Sequence, residues 1–147
     1  MIVRAMLWIV AASALIAGIA SAAPMATVLT ASAPHQELPL ATVAAKPATV
    51  TLTIAAIDNP SSQAFSLAAS VAWTSNDGHR TVEPLRRVTP YPPNRPGSFV
   101  IALDAPVRSL FGRGDGQLAL VLALQPIATD RPLIEPLRVS ISPPVWR

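Results

Sequence analysis

Apolar and polar residues alternate with a period of two through five segments of the chain. Thr49–Ile57 sets Val50, Leu52 and Ile54 on one side and Thr49, Thr51 and Thr53 on the other. Ala64–Thr74 sets Phe65, Leu67, Ala69, Val71 and Trp73 against Ser66, Ser70 and Thr74. Ser98–Leu103 alternates through Phe99, Ile101 and Leu103, and Leu137–Ser142 through Leu137, Val139 and Ile141. Gln117–Gln125 places Leu118, Leu120, Leu122 and Leu124 opposite Val121 and two alanines. Successive side chains of an extended chain point to opposite faces, so this pattern predicts half-buried strands. Leucine by itself is compatible with helix, but the spacing of two in Gln117–Gln125 selects a strand buried mainly on one face.

The segments between these runs are turn formers. Asp58-Asn59-Pro60-Ser61-Ser62 and Ser75-Asn76-Asp77-Gly78 both read as turns. Thr89–Gly97 holds Pro90, Pro92, Pro93 and Pro96 and reads as a surface loop in extended or polyproline geometry. The 16 prolines of the chain oppose long helices, because each removes a donor and blocks the preceding turn. One short helical turn is expected around Pro106–Phe111, with Asp104 as cap, Pro106 in the first turn and Gly112 closing it in the left-handed conformation. Leu38-Pro39-Leu40 and Ala41–Ala45 are candidates for edge strands, where proline is tolerated. The sum is an all-β chain: an antiparallel β-sandwich of about six to seven strands with one short helical turn.

The N-terminus departs from this pattern. Arg4 precedes an apolar run from Ala5 to Ala20, and Ala20-Ser21-Ala22 fits the small-residue cleavage pattern of a secretory signal peptide. An uncleaved anchor is the alternative, since the run is nearly long enough to span a bilayer. The expected organisation is a signal-peptide helix over 1–22, a flexible lead-in over 23–36 and a sandwich domain over 37–147. The expected location is periplasmic or secreted, with membrane contact only through the signal segment if it is retained. Removing 22 of 147 residues leaves 125, enough for one domain with an ordinary core. The chain has no cysteine, which excludes disulfides, thiolate metal sites and a cysteine nucleophile. Its formal charge of +3 comes mainly from scattered arginines with no run longer than Arg86-Arg87, so no nucleic-acid groove is expected.

Candidate chemistry is sparse. Asp77-Gly78-His79 with Glu83 nearby has metal-ligating and acid–base residue types, but Asn, Asp and Gly in a turn are explained by backbone geometry. Arg113-Gly114-Asp115 spells an adhesion tripeptide and equally a glycine-rich connection before the next strand. The two histidines, His35 and His79, have no triad context, and no Gly-x-Ser-x-Gly elbow occurs. No catalytic residue, metal site or cofactor is expected. The proline loop is different: Tyr91 and Arg95 stand on a rigid backbone, which loses little entropy on binding, and Trp146 near the C-terminus is a second candidate anchor.

The order of motifs resembles the C-terminal β-sandwich domain of tyrosinases and plant-type polyphenol oxidases over residues 37–142. The matching stretches are Leu38-Pro39-Leu40, Lys46-Pro47, Leu52-Thr53-Ile54-Ala55-Ala56-Ile57, Ala64-Phe65-Ser66-Leu67, Gly97-Ser98-Phe99-Val100, Val107–Gly112, Leu118–Leu124 and Val139-Ser140-Ile141. Ala64 and Ser66 stand where that family carries a charged pair that docks on its catalytic partner, so only Phe65 carries over as a contact residue. Two histidines cannot supply the six that dicopper chemistry requires. The resemblance therefore implies a non-catalytic exported accessory domain that covers or stabilises a separate dicopper oxidase; Phe65 is the contact it carries over, and Tyr91, Arg95 and Trp146 are the contacts expected from the proline loop and the C-terminus. The second reading is a generic exported β-sandwich with a structural or adhesive role, since fold alone does not set function.

Overall fold

The computed structural model describes residues 25–40 and 46–147. The expected signal segment and the candidate edge strand at 41–45 lie outside these. Among the described residues, no helix is long and apolar enough to cross a membrane. The described residues form nine strands and one helix in order: β1 (Thr27–Thr30), β2 (His35–Pro39), β3 (Thr49–Asp58), β4 (Phe65–Ser75), β5 (Arg80–Pro84), β6 (Gly97–Ala102), α1 (Ala105–Leu110), β7 (Gly116–Pro126), β8 (Arg138–Ile141) and β9 (Val145–Trp146).

The strands form two sheets. One runs β1-β8-β3-β6, with β9 also pairing β3, and the other runs β2-β7-β4-β5. Every pairing is antiparallel. The all-β sandwich read from the alternation is therefore the observed architecture, and the alternating apolar rows are its inner faces. Val50, Leu52, Ile54, Val139 and Ile141 of the first sheet and Phe65, Leu67, Val71, Leu120 and Leu122 of the second are each at most 1 % exposed. Burying each such side chain contributes about 1.5–3 kcal/mol. Val107 and Leu110 of α1 join the same core.

The described residues hold nine strands where about six to seven were expected, and several local readings are changed or completed. Thr27–Thr30, read as part of a flexible lead-in, is strand β1: it pairs with β8, and Leu29 is completely buried. Burial of that single leucine gives the segment a fixed register, because a slip by one residue would turn Leu29 to solvent. The polar segment Arg80–Pro84 is β5, the partner that the Ser75–Gly78 turn requires for β4. The C-terminal Val145-Trp146 is β9, laid along β3. Asp104 caps α1 as expected, accepting from Val107 N–H at 3.1 Å. Gly112 is not left-handed; the helix tightens instead, with Phe111, Gly112 and Arg113 N–H groups bonding carbonyls three residues back.

Across the outer face of the second sheet, Arg80 on β5 reaches Glu37 on the opposite edge strand β2, at 2.9 and 3.1 Å. The floor between them includes the small residues Ala72 and Ala119, which pair with each other on β4 and β7. This ion pair ties the two edges of the sheet together.

Candidate partner-binding site

The four residues expected at a partner surface separate in the fold. Phe65 is 1 % exposed and belongs to the core, so it offers no surface to a partner. It opens the β4 row Phe65, Leu67, Ala69 and Val71, all four of which are buried, and that explains why. Trp146 is half-buried, with its ring tilted against Phe111 at a centroid distance of 5.2 Å. It packs β9, on the side of β3 away from β6, against the residue that caps the C-terminal end of α1. Tyr91 and Arg95 come together. Tyr91 is 88 % exposed, and both line one groove with Pro90, Pro96 and the first residues of β6.

The proline loop is held in place locally. Arg95 N–H bonds Pro92 O at 3.0 Å, closing a turn at its tip. Asn94 Nδ2 bonds Ser62 Oγ at 3.2 Å, fastening the loop to the β3–β4 turn. That turn is itself built on buried Asn59, whose side chain exchanges two bonds with the Gln63 backbone.

Beside this loop, an adjoining groove of about 560 Å³ runs between Arg86–Thr89 and Ser98–Ile101. Its first wall continues β5 along β4: Leu85 N–H bonds Ala69 O, and Val88 exchanges both backbone bonds with Leu67. The register shifts by one residue between the Ser70–Pro84 pair and the Leu67–Val88 pair. This is a bulge at Arg86-Arg87, and it lets two consecutive side chains both point outward. Arg86 and Arg87 are both exposed, while Val88 returns to the core.

The second wall is β6, an edge strand of the first sheet. Thr49 on β3 exchanges backbone bonds with Arg147, and Ser142 N–H bonds Thr53 O, so odd positions of β3 face β8 and β9. Even positions of β3 therefore face β6. With Val50 opposite Ile101 and Leu52 opposite Phe99, the odd positions of β6 bond β3. Ser98, Val100 and Ala102 then direct their N–H and C=O groups away from the sheet, where no described backbone group meets them. Val100 also exposes 70 % of its surface.

The other edges are guarded. β2 carries Glu37 and Pro39, β5 carries Arg80, Glu83 and Pro84, and β1 has four residues. Charges, prolines and short length all oppose pairing with another strand. Gly-Ser-Phe-Val-Ile-Ala of β6 has none of these within its six residues.

The remaining sequence candidates resolve into structural roles. The Ser75–His79 turn is a hydrogen-bonded loop in which Ser75 Oγ donates to Asp77 and accepts from His79 N–H, with Gly78 at a φ of 91°. The Ser75 hydroxyl holds the Asp77 carboxyl below its ordinary value. Among the described residues, no three His, Asp or Glu side chains converge as metal ligands would. Arg113 of the adhesion-like tripeptide lies 5.0 Å over the Trp73 ring and donates to Thr81 Oγ1 at 3.1 Å. Its guanidinium is engaged within the fold.

Sequence reasoning singled out Tyr91 and Arg95, noted Arg86-Arg87 beside their loop without counting them as contacts, and did not reach the β6 backbone. The side chains were visible as the longest basic run, but the edge position of β6 was not a property of its own residues. No family model, curated protein or solved structure matches the chain, and nothing in these comparisons identifies a tyrosinase C-terminal domain.

Proposed function

We propose that this protein is a non-catalytic exported interaction domain that engages another protein through the flank formed by the proline loop, Arg86-Arg87 and β6. The observation that carries this is the pairing of a fixed, exposed aromatic, Tyr91, with an unguarded strand edge in continuous grooves. Exposed tyrosine and arginine on a pre-ordered backbone are the residue types that dominate binding energy at protein interfaces. Export is supported by Arg4, the Ala5–Ala20 run and the Ala20-Ser21-Ala22 site. Among partner classes, the order of sequence motifs favours a separate tyrosinase-like dicopper protein.

A photo-crosslinking residue in place of Tyr91, compared with one in place of exposed Val28 on β1, the far edge of the first sheet from β6, tests the reading in the native host. The expected result is a discrete adduct at Tyr91 only, lost when Arg86 and Arg87 are changed to glutamate, and its mass identifies the partner. Adducts at both positions alike, or at neither, would refute the proposed face.

A further inference from the structure

We infer that the free edge of β6 takes up an extended, acidic segment of a partner protein by antiparallel or parallel strand addition. This rests on the interaction-domain reading and specifies how that flank binds. Three features define the occupant. Ser98, Val100 and Ala102 present donors and acceptors that are unpaired among the described residues, at alternate positions, which is the spacing an added strand satisfies. The groove floor reaches Val88, Phe99 and Ile101, so alternate side chains of the added strand meet apolar surface. Its rim carries Arg86, Arg87 and, at the adjoining loop, Arg95.

Charge selects an acidic segment. Among the described residues, no Asp or Glu lines either groove, and the ion pair Arg80–Glu37 involves none of these three arginines. An added strand with carboxylates on its outward row would meet the arginines as charge-assisted pairs. A second copy of this chain is disfavoured by the same charges: joining β6 to β6 about a two-fold axis brings two sets of arginines toward each other.

The alternation of β6 also supplies a selective variant. The Val100 N–H points away from β3, so Val100→Pro removes an edge donor without breaking a bond of the β3–β6 ladder. The probe is a fluorescein-labelled peptide alternating glutamate and valine over about ten residues, longer than the six residues of β6 at about 3.4 Å each. A lysine–valine peptide serves as the control, and binding to the full mature protein is followed by fluorescence anisotropy. The acidic peptide is expected to bind saturably, at least about tenfold more tightly than the basic one, and to lose about tenfold in affinity with Val100→Pro. The double variant Arg86→Glu, Arg87→Glu should reverse the preference between the peptides, which provides an independent reading if Val100→Pro disturbs folding.

Failure of the acidic peptide to bind, equal binding of both peptides, or unchanged binding by folded Val100→Pro would overturn strand addition. So would a dimer in sedimentation that Val100→Pro dissociates, since the occupant would then be a second copy. These outcomes are separable from failure of the broader reading. A partner that crosslinks at Tyr91 while Val100→Pro has no effect keeps the interaction domain and removes the added strand.

Discussion

Gly116 opens β7 directly beneath Trp73, and the contact leaves no room for a side chain. A Cβ at position 116 would lie 2.6 Å from both Thr74 O and Trp73 Nε1. One of these neighbours is backbone, so the clash cannot be relieved by turning a side chain aside. Gly116→Ala is therefore expected to destabilise the protein by about 1–3 kcal/mol, the usual cost of overpacking. A lowered thermal midpoint with unchanged far-ultraviolet circular dichroism at room temperature would show this, and an unchanged midpoint would refute it. The same contact positions Trp73 under Arg113. Phe65 teaches a related lesson. Its place on an alternating apolar row foretold burial, whereas its expected role at a partner surface came only from the resemblance. The local periodicity was the better guide, because it reports directly on which face an inward residue occupies.

At the scale of elements, β3, β4, β6, β7 and β8 were legible because one buried face leaves a strict two-residue rhythm. β5 and β2 were harder, since exposed edge strands place polar residues on both faces. The bond between those two edges has a pH consequence. The Arg80 guanidinium hydrogen-bonds Glu37 and holds its carboxyl below the ordinary value of 4.5. Glu135 is likewise lowered, chiefly by its hydrogen bonds from Ser32, and these fasten the end of β1 to the start of β8. A carboxyl whose pKa is depressed by folding adds stability that is present above its unfolded value. That stability is lost as pH falls through the folded value. The thermal midpoint should therefore fall as pH drops from about 5 toward 3, and Glu37→Gln should make the decline shallower. Both partners of the Glu37 pair are more than a third exposed, so its share is under about 1 kcal/mol. An identical pH profile in wild type and variant would contradict the assignment.

At the scale of the whole molecule, sandwich architecture follows from counting alternating segments and turns, but the identity of its edges does not. β6 reads like any inner strand, with apolar Phe99 and Ile101 at alternate positions. It becomes an edge only because the chain order places β8 and β9 on the other side of β3. The bulge that turns Arg86 and Arg87 outward is equally hidden, since it arises from a register shift between two distant segments. Only Tyr91 and Arg95 were visible beforehand, through the proline density around them. The proposed site is therefore a product of topology: the outer edge of an apolar strand, without a partner among the described residues, beside an arginine-lined wall. Residue-resolved amide hydrogen exchange on the free protein, repeated with the acidic peptide bound, tests that most directly. Ser98, Val100 and Ala102 amides are expected to exchange much faster than those of Phe99 and Ile101 in the free protein, and to become protected on binding. Protection of all five amides in the free protein, or no change at Ser98, Val100 and Ala102 when peptide is bound, would contradict the account.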